Sequence, residues 1–162
     1  MAKKAKEGKT NAIREAEAAG VPCEVRTFEC EGAPSGVEVA DMLGLDPDRV
    51  FKTLVTVGKS GEHYVFMVPV AEELDLKRAA KSVGEKAVEM IKSRELLPLT
   101  GYVHGGCSPI GMRKQFPTVA DETMQLYDTV FFSGGRIGCQ LEMAPDDLAN
   151  LIPLEFADIT VR

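Results

Sequence analysis

A lysine inside an apolar stretch is the first residue of this sequence whose type and setting suggest chemistry. Lys52 lies in the segment VFKTLV, between Phe51 and the β-branched Thr53. Lysine is rarely buried without a partner, so Lys52 either rests its stem on an exposed apolar face or points a fixed positive charge into a pocket. The second arrangement suits a phosphate group or a developing negative charge.

Two glycine-rich segments could bring main-chain N–H groups close to an oxygen atom of a ligand. Residues 105–111 have the sequence GGCSPIG, in which glycine allows close approach and Pro109 stiffens the loop. No Gly-Lys-Ser/Thr follows, so this is not the phosphate-binding P-loop. Residues 133–138, SGGRIG, are typical of a hairpin turn, which could also offer Ser133 as a hydrogen-bond partner. By composition alone, both segments are also compatible with plain connections.

A cysteine nucleophile or a histidine base has little support. Cys107 would need a lowered pKa and a nearby base, and His104, three residues before it, is a weak candidate. The chain has two histidines and four cysteines without a CxxC pair, so we expect no structural zinc site. We therefore predict that any enzymatic activity uses no histidine base, metal or cofactor.

Strands and helices must position these segments. Alternation and β-branched residues predict strands, and capping residues with terminal glycines predict helices. The predicted strands cover residues 23–30, 50–57, 63–70, 86–91 and 156–161 and both sides of the 133–138 turn; the predicted helices begin after Thr10, Ser35, Asp75 and Ala144, with a short one from Ser93 that stops near Pro98. We predict one mixed-sheet α+β domain over residues 10–162, preceded by a flexible basic N-terminus at residues 1–9.

The charge of the chain limits its partners. Nineteen Lys and Arg against 25 Asp and Glu give a net charge of −6, which speaks against a protein that coats DNA. No apolar run approaches the roughly 20 residues of a membrane span and no secretory signal is present, so we expect a cytoplasmic protein. The cluster of Lys77, Arg78 and Lys81 is either a solvated helix face or a phosphate-contacting patch.

These segments together resemble the YbaK/EbsC family of free-standing aminoacyl-tRNA deacylases, which is related to the editing domain inserted in bacterial prolyl-tRNA synthetases. The resemblance rests on TNAIR, VFKTLV, LDLKRAAKSVG, TGYVHGGCSPIGMRK, SGGRIG and APDDLANLI, which follow the family's order from about Thr10 to Thr160. It implies a strongly coiled, barrel-like mixed sheet surrounded by helices. It also implies hydrolysis of a mischarged aminoacyl-tRNA at its 3′ acceptor end, most typically Cys-tRNA(Pro), with prolyl-tRNA synthetase as a possible partner.

The resemblance also assigns roles to individual residues. It implies catalytic roles for Lys52, Gly106 and Ser108, substrate binding by Phe28, Thr53, Gly105, Pro109, Ser133, Gly134, Gly135 and Gln140, and tRNA contact by Lys77, Arg78 and Lys81. Two of these depart from the family pattern: Phe28 stands where well-known members have tyrosine, and Gln140 where some have an acidic residue. Cys107 stands where an aliphatic residue is common, which favours a packing role.

Three functional hypotheses remain open from the sequence. For a cysteinyl ester, the substrate thiol could attack its own carbonyl, so that the enzyme needs no nucleophile but must orient the ester and stabilise the oxyanion. The departures at Phe28 and Gln140 leave room for another amino acid, such as alanine. A non-catalytic module that holds tRNA ends or a synthetase is the alternative from another functional class.

Overall fold

The computed structural model describes residues 8–162, so most of the predicted basic N-terminus, residues 1–9, lies outside the described residues. In chain order the elements are α1 (Asn11–Ala18), β1 (Glu24–Thr27), α2 (Gly36–Leu43), β2 (Phe51–Gly58), β3 (His63–Pro69), α3 (Leu76–Val83), β4 (Val88–Met90), α4 (Ser93–Thr100), β5 (Thr118–Asp121), β6 (Val130–Ser133), β7 (Cys139–Met143), α5 (Pro145–Leu151) and β8 (Leu154–Ala157), with short 3-10 turns at Pro47–Arg49 and Glu122–Leu126. No helix in this part of the chain is both long and apolar enough to cross a membrane.

Helix starts follow the capping residues and are confirmed. The Thr10 hydroxyl accepts a hydrogen bond from the Ile13 N–H at 3.2 Å. Ser35 and Glu38 form a complete capping box at the start of α2. Asp75 accepts from two main-chain N–H groups at the start of α3. These local bonds satisfy donors that the first helical turn leaves free, which explains why the helix starts could be predicted.

The helix α4 ends at Thr100, two residues after Pro98, near which it is predicted to stop. Proline removes one main-chain donor, yet the last turn is held by other bonds. The Thr100 hydroxyl donates to the Leu96 carbonyl at 2.8 Å, and the Gly101 N–H donates to the Leu97 carbonyl at 2.8 Å. Gly101 then ends the helix in the left-handed conformation, with φ of 86°.

The strands form two open sheets. The five-stranded sheet has the order β4-β2-β3-β5-β8 and the three-stranded sheet has the order β1-β7-β6. In the larger sheet β2, β3 and β4 are antiparallel, whereas β5 runs parallel to β3 and to β8. A parallel bridge between Val50 and Phe131 links the sheets. The predicted α+β class is confirmed, but the barrel-like sheet is wrong, since neither sheet closes on itself.

Two strand predictions also need correction, and both involve tertiary contacts. The last strand lies at Leu154–Ala157, because the Ile159 N–H bonds to the buried Asp121 carboxylate at 3.1 Å and Thr160 bridges to Leu74. The strand β5 is absent from the sequence-based prediction. Its four residues are all buried, so they show no alternation of polar and apolar side chains.

Alternation along β2 places its residues on two sides of the larger sheet, as predicted. Lys52 is directly opposite Val68 in the register, and Val68 packs with Ala79 and Ala80 of α3. Val55, on the other side, packs with Leu96 of α4. Lys52 therefore lies on the α3 side of the sheet, and Thr53 lies on the α4 side.

Candidate functional site

A pocket of about 470 Å³ lies beside the first half of β2. Its walls come from seven places in the chain: the start of α2, residues 50–55, Val70 after β3, residues 90–91, the start of α4, the 104–107 loop, and the hairpin residues Ser133 and Gln140. Of the residues predicted to be catalytic or to bind the substrate, five line the pocket: Lys52, Thr53, Gly105, Ser133 and Gln140. The two sheets and two helices thus bring distant segments to one cavity.

The pocket lies where β2 lacks a strand neighbour along part of one edge. The β4 pairing covers Thr56–Gly58, and the bridge to β6 lies at Val50. Between these points no strand of the described chain pairs with residues 52–54 on this side. The hydroxyl oxygen of Thr53 is buried here without a hydrogen-bond partner. Such an edge leaves polar groups available to a ligand.

Lys52 supplies a positive charge that no acidic residue among residues 8–162 pairs with. Its side chain is partly buried, and no residue from 8 to 162 forms a hydrogen bond or an ion pair with its ammonium group. No Asp or Glu contributes to the pocket lining. The ammonium is therefore available to an anionic group of a ligand, which favours the second of the two alternatives that the sequence left open.

Ser133 and Gln140 form one wall of the pocket through the hairpin of β6 and β7. They are directly opposite each other in the antiparallel register, and Gln140 is also directly opposite Arg26 on β1. The side-chain oxygen of Gln140 is buried and has no hydrogen-bond partner. Buried polar atoms without partners are uncommon in proteins, and this one lies in a residue that lines the cavity.

The glycines of the two loops mainly allow the loops to pack tightly. A Cβ atom on Gly106 would lie 2.8 Å from the Cα of Arg136, and one on Gly135 would lie 2.9 Å from the Cβ of Thr10. The Gly106 N–H donates to the Val103 carbonyl at 3.0 Å, and the Gly134 N–H donates to the carbonyl of Cys139. Gly105 lines the pocket, whereas Gly106, Gly134 and Gly135 do not.

Three other residues with predicted roles lie outside the pocket lining. Ser108 is completely buried, and its hydroxyl accepts from the Ile110 N–H at 3.3 Å. The Pro109 carbonyl accepts from the Gln115 amide at 3.1 Å. Phe28 is partly buried, and its N–H donates to the carbonyl of Gly138. The structure thus gives these residues contacts that support the loops around the pocket.

Cys107 lines the pocket but is poorly suited to act as a nucleophile. It is buried among apolar side chains that include Val55 and Leu96. Burial raises the pKa of its thiol to about 12, although a hydrogen bond with Thr100 opposes this. The thiol is therefore almost entirely protonated near neutral pH.

His104 is exposed and lies at the rim of the pocket. The sequence predicts that no histidine acts as a catalytic base. Within residues 8–162, no three His, Cys, Asp or Glu side chains lie close enough together to hold a metal ion.

The predicted tRNA-contacting residues lie on α3, outside the pocket. Lys77 and Lys81 are exposed. Arg78 instead forms ion pairs, 2.7 Å from the carboxylate of Asp158 and 3.5 Å from that of Asp75. The helix covers the same side of the sheet as Lys52. Its two lysines are therefore available to a ligand that extends from the pocket, whereas Arg78 has structural partners.

Several residues of the site could not be recognised from the sequence. Ser35 and Gly36 line the pocket at the start of α2, and Met90 and Ile91 line it at the end of β4. The capping box predicted the helix that begins at Ser35 but not its place beside Lys52. The structure gives a reason for glycine at position 36, because a Cβ atom there would clash with the side chain of Val70.

Comparison with known proteins identifies the family. The model of the aminoacyl-tRNA editing domain matches residues 30–151, which include Lys52, both glycine-rich loops and Gln140. The chain belongs to the aminoacyl-tRNA editing domain family. EbsC of Enterococcus faecalis, a proposed Cys-tRNA(Pro)/Cys-tRNA(Cys) deacylase, is 45% identical over 100% of this chain and 99% of its own length.

Two further editing-domain relatives connect the family with prolyl-tRNA synthetase. A proline–tRNA ligase of Pelobacter propionicus is 32% identical over 52% of this chain, which corresponds to 15% of the ligase. The crystal structure of a proposed trans-editing enzyme for prolyl-tRNA synthetase superimposes with a TM-score of 0.83 and 27% identity, covering 94% of this chain and 96% of that one. The fold described above is thus the fold of a free-standing editing domain.

Proposed function

We propose that this protein hydrolyses mischarged aminoacyl-tRNA in trans, with Cys-tRNA(Pro) as its substrate. The observation that supports this best is the pocket itself. It combines an unpartnered ammonium on Lys52 with the 104–107 loop and with Ser133 and Gln140, in a chain related over its full length to a proposed deacylase of this substrate. The volume of about 470 Å³ lies within the usual range for small-ligand sites.

Lys52 anchors the 3′ end of the tRNA in this proposal. Its ammonium binds a phosphate or the terminal adenosine, because no acidic side chain of the lining competes for it. Lys77 and Lys81 extend the positive charge along the same side of the sheet. These few cations act locally, so the net charge of −6 is compatible with binding one end of a tRNA.

The substrate supplies its own nucleophile. The sulfur of the cysteinyl group attacks the carbonyl carbon of its own ester and forms a C–S bond. The C–O bond to the terminal ribose then breaks, and the ribose oxygen takes the proton that the thiol gives up. Water opens the resulting cyclic thioester and releases cysteine. The protonated state of Cys107 supports this route, because the cysteine in the pocket lining then offers no thiolate as a nucleophile.

The enzyme holds the ester in a reactive shape and stabilises the negative charge on its carbonyl oxygen. Gly105 is the loop glycine in the pocket lining, and it allows the loop backbone to approach the ester closely. Gly106 and Ser108 hold this loop in position. Selection of the proline tRNA comes from prolyl-tRNA synthetase as a partner, since a pocket of this size reaches the aminoacyl end of the tRNA and not its anticodon.

A deacylation assay with a panel of charged tRNAs tests the proposal. Cysteine, serine and alanine are each attached to the proline tRNA, and the release of each is followed with the purified protein. We expect rapid release of cysteine and much slower release of serine, whose hydroxyl is a weaker nucleophile than the thiol. Equal rates for serine and cysteine would contradict the thiol-assisted route. The absence of any release, with tRNA binding intact, would indicate a non-catalytic binding module.

A further inference from the structure

Arg26 and Gln140 are directly opposite each other on β1 and β7. Side chains of directly opposed residues in an antiparallel pair point to the same side, with Cβ atoms about 4.5–5.5 Å apart. Gln140 lines the pocket, and Arg26 is its directly opposed neighbour on the adjacent strand, outside the lining.

Both side chains carry a buried polar atom without a partner. On Arg26 it is the donor Nε, and on Gln140 it is the acceptor Oε1. These atoms are chemically complementary, a donor and an acceptor on directly opposed residues of neighbouring strands. The Nε2 group of Gln140 is not among the buried unpartnered atoms and makes no hydrogen bond within residues 8–162, so it remains accessible.

The position of Arg26 is fixed by contacts outside the pocket. Its Nη2 donates to the carboxylate of Glu142 at 2.9 Å. Its guanidinium carbon lies 5.4 Å from the centre of the Phe131 ring. Arg49 lies 5.1 Å from the same ring and donates to Thr129. Glu142 and Phe131 thus fix the guanidinium group of Arg26 on the face of the sheet that also carries Gln140.

We propose that Arg26 is a positioning residue that turns the Gln140 amide so that its N–H groups face the pocket. Gln140 then donates to the carbonyl oxygen of the aminoacyl ester, whose negative charge grows during the reaction. The inference rests on the proposed deacylase function and adds a donor to it. It also gives the departure at Gln140 a chemical meaning, because an acidic residue there would only accept hydrogen bonds.

Substitution of Gln140 distinguishes a donor from an acceptor. Gln140→Glu and Gln140→Met should each lower kcat for Cys-tRNA(Pro) by about 100-fold with little change in KM, as expected when an oxyanion loses a donor. If Gln140 instead accepted from the substrate, Gln140→Glu would keep the activity and only Gln140→Met would lose it. That result would overturn the proposal.

A double-mutant cycle tests whether Arg26 acts through Gln140. Arg26→Lys keeps a charge for Glu142 but lacks the Nε donor, and it should lower kcat by about 10-fold. In a Gln140→Met background it should have no further effect on kcat. Arg49, which lies 5.1 Å from the centre of the same Phe131 ring, provides the matched control, and Arg49→Lys should keep the wild-type kcat. Additive effects of Arg26→Lys and Gln140→Met would overturn the positioning role.

An NMR measurement separates this inference from the proposed function. The side-chain NH₂ signals of Gln140 are identified as the pair missing from Gln140→Glu. Arg26→Lys should shift them, and so should a non-hydrolysable 3′-cysteinylamino analogue of the terminal adenosine. If the protein releases no amino acid, the proposed function fails, while these shifts still test the amide orientation. Unchanged NH₂ signals in Arg26→Lys would overturn the inference even in an active enzyme.

Discussion

Val50, immediately before β2, forms a parallel bridge to Phe131 on β6, and both side chains belong to the same apolar cluster. Beyond this bridge the two strands no longer pair, and the pocket begins. Two residues further along each strand stand Lys52 and Ser133, which both line the cavity. The junction between the sheets therefore brings Lys52 of β2 and Ser133 of the β6–β7 hairpin to the same cavity.

The first prediction concerns Lys52. Lys52→Ala should lower kcat/KM for Cys-tRNA(Pro) deacylation by about 10- to 100-fold, because the variant cannot form a charge-assisted hydrogen bond with the tRNA end. The exposed Lys59, beyond the end of the same strand, provides the control, and Lys59→Ala should leave kcat/KM unchanged. Equal activity of both variants in a steady-state assay would remove Lys52 from the proposed mechanism.

The second prediction concerns Cys107. Because its pKa is raised to about 12, roughly 10⁻⁴ of the thiol is ionised at pH 8, and mass spectrometry should find it unmodified by iodoacetamide while Cys30 reacts. Cys107→Ala should keep most of the deacylation activity. A folded but inactive Cys107→Ala protein would restore the cysteine nucleophile.

The raised pKa of the Cys107 thiol also predicts that the folded protein becomes less stable at high pH. The pKa of the Cys107 thiol in the folded protein is higher than that of a free cysteine, which is about 8.5. The protonated thiol therefore makes its full contribution to stability at pH values below about 8.5. That contribution declines as the pH rises toward 12. Urea unfolding between pH 8 and 11 should show a smaller decline for Cys107→Ala than for the wild type.

The third prediction concerns Glu142. A hydrogen bond from Thr129, and then one from Arg26, hold the pKa of this carboxyl below its usual range. Because the pKa of Glu142 is lowered by folding, the ionised carboxylate stabilises the folded protein at pH values above about 4.3, the ordinary pKa of glutamate. This stabilisation is lost as the pH falls through the lowered pKa of the folded state. Glu142→Gln should lower the free energy of unfolding at pH 7 by about 1–2 kcal/mol. The difference from wild type should shrink at pH 3 in urea titrations, and a constant difference would contradict this assignment.

The fourth prediction separates the basic residues of α3. Lys77→Ala with Lys81→Ala should weaken tRNA binding and make it less dependent on salt, by about 0.7–0.9 in log–log slope for each phosphate that the protein no longer neutralises. Arg78→Ala should instead lower the free energy of unfolding by about 0.5–1 kcal/mol, because it breaks partly exposed ion pairs. Filter binding at several salt concentrations and thermal unfolding distinguish the two effects. Unchanged salt dependence in the lysine variant would place the tRNA elsewhere.

Local features of the fold could be read from the sequence because their causes are local. The caps at Thr10, Ser35 and Asp75 bond to residues two or three positions away. The strand β5 escaped prediction because both its faces are buried, and the end of β8 depends on Asp121, more than 30 residues earlier. The number and closure of the sheets depend on distant pairings, and here the expectation of a barrel failed.

The residues of the site also divide into those with a local signal in the sequence and those that only distant contacts bring to the pocket. Lys52 is conspicuous in sequence because a charge interrupts an apolar strand, and family resemblance pointed to Gln140 and Ser133. Arg26 and Ser35 have ordinary neighbours in the sequence, and only strand register and helix packing bring them near the pocket. Gly106 and Gly135 were expected to face a ligand, but tight contacts between the loops give their small size another cause.

The interlocked glycines have a consequence for the evolution of this pocket. At Gly106 and Gly135 even one added carbon meets neighbouring atoms, so the loops tolerate little change. The side chains of Thr53 and Ser133 project from regular strands, and their replacement leaves the backbone contacts intact. Exchange of strand side chains can therefore reshape the pocket, while the tightly packed loops around it stay unchanged.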